Sequence, residues 1–106
     1  MYEFRQLDIP ASFMEIYTRH GRPVEPRPFV EHRFEACEDL ASSVSGFCLS
    51  LAIKDELGSD EVLARCHAGL LLTPQTLSAR EAAWVVRRTA ELLEWDQPAI
   101  GTDEAQ

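Results

Sequence analysis

Between Pro28 and Ile53, apolar side chains recur in alternating steps of four and three: Val30, Phe34, Cys37, Ala41, Val44, Cys48 and Leu51. An α-helix makes a turn about every 3.6 residues, so this spacing keeps all of them on one side of a helix. Leu40 and Phe47 widen the stripe along one edge. Glu31, Glu35, Glu38 and Asp39 crowd the N-terminal half, where the helix dipole favours negative charge, and Lys54 sits near the other end. A seam this long exceeds what one short helix can cover. It calls for a second long helix or a second subunit. Gly46 lies inside the pattern, weakens the helix by roughly 1 kcal/mol relative to alanine, and permits close approach of another helix.

Shorter elements flank this helix. Residues 1–9 read as an arm or a strand. Residues 10–20, PASFMEIYTRH, predict a short helix with Pro10 at its start and Gly21 at its stop. Phe13, Ile16, Tyr17 and His20 form its apolar face, which must dock because so short a helix is marginal alone. The string GRPVEPRP at 21–28 predicts an extended linker. KDELGSD at 54–60 is a polar turn in which Ser59 or Asp60 can cap the next helix. That helix carries Val62, Leu63, Cys66, Leu70 and Leu71 and runs to about Leu72, before Pro74. The last helix, LSAREAAWVVRRTAELLEW at 77–95, opens with a capping box of Ser78 and Glu81 and is closed by Asp96 and Pro98.

The predicted fold is all-α. It is a small helical domain of about four helices, with a long amphipathic helix packed against a C-terminal helix, and it is expected to be dimeric. A chain of 106 residues fits a single domain. Its N-terminal arm, short helix and Pro-rich linker span 1–28, the helical core 29–97, and a frayed tail 98–106.

Charge narrows the partners. With 18 acids against 10 bases the net charge is −8, which opposes binding to nucleic acid and to anionic membrane surfaces. No apolar run is expected to span a bilayer, and no signal peptide opens the chain. The cysteines Cys37, Cys48 and Cys66 are odd in number and lack metal-ligand spacing. They predict free, mostly buried thiols in a reducing cytoplasm. Cys66 and His67 are sequence neighbours, so on a helix they point about 100° apart and do not pair. No phosphate loop, nucleophile elbow or HExxH is present. No catalytic residue, metal or cofactor is expected.

The last helix carries the main functional expectation. Trp84 and Trp95 are the only tryptophans and stand eleven residues apart. Eleven residues is about three helical turns, so both rings leave the same side of the helix. Going round the helix from Trp84, the order is Trp95, Leu92, Val85, Thr89, Ala82, Leu93 and Val86. These residues span an apolar arc of about 200°, wider than the 100° or so that faces a small core. Val85, Leu92 and Thr89 at its centre should be core, and at least one flank should face outward. The Trp84–Trp95 flank, with Arg88 and Glu91 between, is the expected partner-binding surface, since Trp and Arg dominate binding hot spots. The opposite flank, Val86 and Leu93, joins the helix seam residues Val44, Phe47, Cys48 and Leu51 as the expected homodimer interface.

LSARE resembles the LTxRE opening of the LuxR-type helix-turn-helix. That module needs a recognition helix after a scaffold helix, and only one helix fits before Pro98. DNA binding is therefore not expected. In size, acidity and layout the chain resembles the QslA-like quorum-sensing antiactivators, through RPVEPRPF, FEACEDLASSVSGFCLSLA and SAREAAWVVRRTAELLEW. The resemblance implies a bacterial cytoplasmic dimer that binds the ligand-binding domain of a LuxR-type transcription factor, blocks its dimerisation and so keeps it off DNA. Another helical binding module, such as a secretion chaperone or an antitoxin-like neutraliser, also fits the layout, as does a small enzyme whose site assembles in space.

Overall fold

The computed structural model describes residues 9–72, 76–98 and 100, so the expected N-terminal arm before Ile9, the approach to Pro74 and most of the expected tail lie outside the described residues. The order of elements is α1 (Ala11–Met14), a 3-10 turn (Glu15–Tyr17), β1 (Thr18–Arg19), β2 (Arg22–Pro23), α2 (Arg27–Asp55), α3 (Ser59–Leu70) and α4 (Ala79–Leu93). The all-α class holds, with one small antiparallel hairpin added.

The seam residues of α2 behave as their spacing requires. Val30, Cys37, Ala41 and Cys48 are buried, with Phe34, Val44 and Leu51 partly covered beside them. The cover is α4 and α3. Ion pairs join Arg33 to Glu81 and Arg88 to Glu38, so α2 and α4 run in the same direction, while α3 returns against both. The second helix that the seam demanded thus comes from within the chain. Gly46 does not mark a close approach here: a Cβ added to it would meet nothing within 4 Å.

The helix expected at 10–20 is cut short. After one α-turn the chain tightens, and the Thr18 hydroxyl donates to the Met14 carbonyl at 2.7 Å. A two-residue reversal follows, with His20 at φ 54° and Gly21 at φ 76°. Positive φ at both central residues matches the type I′ turn, whose twist suits a hairpin, and the pairs Thr18–Pro23 and Arg19–Arg22 close it. Gly21 is therefore a hairpin turn residue rather than a helix stop, and part of the expected linker is strand. The apolar face of this segment still docks. Phe13 is fully buried, with ring centroids 5.9, 5.5 and 5.0 Å from Tyr17, Phe34 and Trp84.

The helix ends separate prediction from outcome. Gly58, not Ser59 or Asp60, occupies the cap of α3, and no side chain caps it. The Ser78–Glu81 capping box forms in both directions. At the other end, α4 stops at Leu93, before Asp96 and Pro98, because Glu94 turns left-handed at φ 59°. The Trp95 amide then donates to the Ala90 carbonyl at 2.9 Å and the Glu94 amide to Glu91 at 3.1 Å. This pair of bonds is a Schellman motif, a position that favours glycine. Glu94→Gly is expected to raise the unfolding free energy by about 1 kcal/mol in a urea melt, because it removes the Cβ penalty of the left-handed region. An unchanged or lowered midpoint would show that the left-handed turn costs this glutamate nothing.

Candidate functional site

Among the described residues, three places bear on the expected partner and dimer surfaces. The first is buried. Glu81, only 2% exposed, accepts from Arg33 Nε and Nη2, each at 2.8 Å, from the Tyr17 hydroxyl, and from the Ser78 amide at 3.0 Å. Burial pushes the Glu81 carboxyl up, but the Arg33, Tyr17 and Ser78 hydrogen bonds outweigh it and hold the group below the usual carboxylate range. The same cluster raises Tyr17, chiefly through burial and then through Glu81. Cys37 nearby is pushed up to about 12, mainly by burial. The Tyr17 hydroxyl, the Arg33 guanidinium and the Glu81 carboxylate are bonded together, so the cluster ties the 3-10 turn to α2 and α4.

The second place is a surface cleft of about 270 Å³ lined by Pro10, Ser12, Phe34, Glu38, Trp84, Arg88 and Glu91. Three of the four residues expected to bind a partner converge here, but not as exposed anchors. Trp84 is 7% exposed, its indole N–H donates to the Ser12 hydroxyl at 2.9 Å, and its ring stands edge-on to Phe13 and Phe34. Arg88 grips Glu38 with Nε at 2.9 Å and Nη2 at 2.8 Å, and reaches Glu91 with Nη1 at 3.0 Å. Its donors are committed within the chain. Trp95 does not join them. The left-handed turn at Glu94 breaks the helical phase, and Trp95 packs instead beside Leu63, Val86 and Ala90.

The expected arc on α4 needs the same correction. Ala82, Ala83, Trp84, Val85, Val86, Thr89 and Ala90 are all buried. The arc is wide because α4 is enclosed by α1, α2 and α3 together, so its width does not call for an outside partner. Leu92, expected at its centre, lies in the last turn and is exposed. Of the residues assigned to a dimer interface, Cys48 and Val86 are fully buried inside the chain and Val44, Leu51 and Leu93 partly so, whereas Phe47 is 61% exposed.

Phe47 belongs to the third place. The 29 residues of α2 make a rod about 43 Å long, whereas the 15 residues of α4 span about 22 Å. The pairs Arg33–Glu81 and Arg88–Glu38 register α4 against the N-terminal half of α2. The other half therefore outruns it. Its open side carries Phe47, Leu49 and Ile53, with Ser42, Ser43, Gly46 and Ser50 between them, all exposed. Ile53 is 72% exposed. The sequence expectations pass over Leu49 and Ile53, although from Leu40 to Ile53 the sequence has no charged residue, and that run is the signal that could have found them. An 18-residue window of α2, with mean hydropathy 1.3, even meets the length and composition of a membrane span, contrary to expectation. Only 17% of that window is buried. Leu71 and Leu72, just past the end of α3, are exposed as well.

Among the described residues no group of three or more His, Cys, Asp or Glu side chains is placed to hold a metal ion. No family model, curated protein or solved structure matches this chain.

Proposed function

We propose that this chain is a non-catalytic protein-interaction module that docks through the open side of the C-terminal half of α2. The observation that carries the reading is the strip of Phe47, Leu49 and Ile53 on a charge-free helical surface that the shorter α4 leaves uncovered. Round the helix Phe47 stands about 160° from Leu49 and about 120° from Ile53, so the three edge one broad exposed face, and large apolar side chains gathered on one open face mark interaction sites. Small residues between the large ones make the strip shallow, which suits another helix or the lip of an apolar groove. With a net charge of −8, the fitting partner has a basic rim. The resemblance to quorum-sensing antiactivators supports one such partner, the ligand-binding domain of a LuxR-type transcription factor. Covering that domain's dimer surface would keep the receptor off DNA without any catalytic step. A second copy of the chain is the other protein occupant, and light scattering of the purified chain distinguishes it.

Phe47→Glu is expected to leave the helical signal and melting midpoint nearly unchanged, because the side chain is exposed. It should weaken partner binding about 30-fold or more, as for a hot-spot residue worth about 2 kcal/mol. The direct measurement is a purified LuxR-type receptor on its operator, titrated with the wild-type chain and with this variant. If the wild type leaves receptor dimerisation and operator binding intact, the receptor reading fails. If the chain floats with lipid vesicles, the strip is a membrane-contacting surface and the protein-docking reading fails.

A further inference from the structure

Cys48 of α2 and Cys66 of α3 place their sulfurs 2.7 Å apart, across two helices whose sequence positions differ by 18. A disulfide needs a separation of about 2.05 Å, so closing the gap asks for well under 1 Å of movement. Cys48 is fully buried and Cys66 only half-buried, so the pair is nearest to solvent on the Cys66 side. We propose that Cys48 and Cys66 form an oxidisable dithiol site that peroxide converts to an intramolecular disulfide, stapling α2 to α3. This site is independent of the docking strip and of any partner.

The two thiols are not equivalent. The two sulfurs share one hydrogen bond in which either thiol can be the donor, and they differ in their exposure. Cys66, the half-buried one, is the thiol that a solvent-borne oxidant meets, so it attacks as the thiolate and the fully buried Cys48 resolves. In the first step the Cys66 sulfur attacks one oxygen of hydrogen peroxide. The O–O bond breaks, hydroxide leaves and combines with the proton that the Cys66 thiol gave up to form the first water, and Cys66 becomes a sulfenic acid. In the second step the Cys48 sulfur attacks the Cys66 sulfur, the S–O bond breaks, and the Cys48 proton leaves with the oxygen as water. In sum, two thiols and one peroxide give one disulfide and two waters. Cys37 is an internal control, since burial makes its thiol a poor nucleophile and pushes it up to about 12.

The test treats the full chain with equimolar hydrogen peroxide, alkylates the remaining thiols, and maps peptides without reduction. The expected product has a Cys48–Cys66 linked peptide and an alkylated Cys37, and runs as a monomer on a non-reducing gel. Its melting temperature should rise on the order of 10 °C, reverting with a thiol reductant, since the cross-link restricts the unfolded chain. Cys66→Ser, at the partly exposed position, should abolish the link and the rise while keeping the reduced fold. Over-oxidation of Cys66 without a link, a bridge involving Cys37, or a linked chain that melts no higher would each overturn the proposal.

Discussion

Trp84→Ala should unfold much of this protein, lowering its unfolding free energy by about 3–5 kcal/mol. The indole sits among Phe13, Phe34 and Val85 in the main core cluster and seals it against the cleft. Removing it deletes the largest ring of an aromatic group that meets edge-to-face. It also leaves the Ser12 hydroxyl without its donor. A domain of this size has only about 5–15 kcal/mol to lose, so the loss should be plain in a urea melt followed by circular dichroism. Trp95→Ala should cost less, because that ring is only partly covered. Equal, small effects of the two substitutions would contradict the placement of Trp84 in the core.

Glu81→Ala should cost about 3 kcal/mol, toward the low end for a broken buried pair, because the Arg33 side chain keeps 23% exposure. The change strands the guanidinium, removes the acceptor of the Tyr17 hydroxyl, and opens the capping box of α4. Glu81→Gln retains an acceptor for the Ser78 amide and should cost about 1–2 kcal/mol, which isolates the charge. The carboxyl is held below its unfolded value of about 4.3. Its stabilisation is therefore complete above that pH and is lost as pH falls through the folded value. Wild-type stability should decline on acidification in this window, and Glu81→Gln should lack that part of the decline. Parallel pH profiles for the two proteins would remove Glu81 from the acid sensitivity.

Much of the candidate site is only half-legible in the sequence. The place of Phe47 beside the α2 seam predicts an interface, and the side chain is exposed. Cys48, one residue on, carries the same expectation and is core, because about 100° of helix rotation carries it under α3 against Cys66. The Trp84–Trp95 line follows from helical phase, but phase ends where the helix ends. The left-handed turn at Glu94 carries no strong sequence mark, since a glutamate is not the residue that such a turn selects. The hairpin at His20–Gly21 is hidden by the helical spacing of Phe13, Ile16 and Tyr17 just before it.

What the sequence determined by itself was local: the α2 seam, the capping box at Ser78, the helical class, and the acidity that disfavours nucleic acid. Periodicity and capping depend on residues a turn or two apart, and those distances are set by the chain. What only the tertiary structure decided was which apolar surface remains outside. That depends on how far each helix extends past its neighbour and on how many elements enclose it. α4 meets three neighbours that cover its apolar arc except at Leu92, whereas α2 outruns α4 and shows Phe47, Leu49 and Ile53 to solvent.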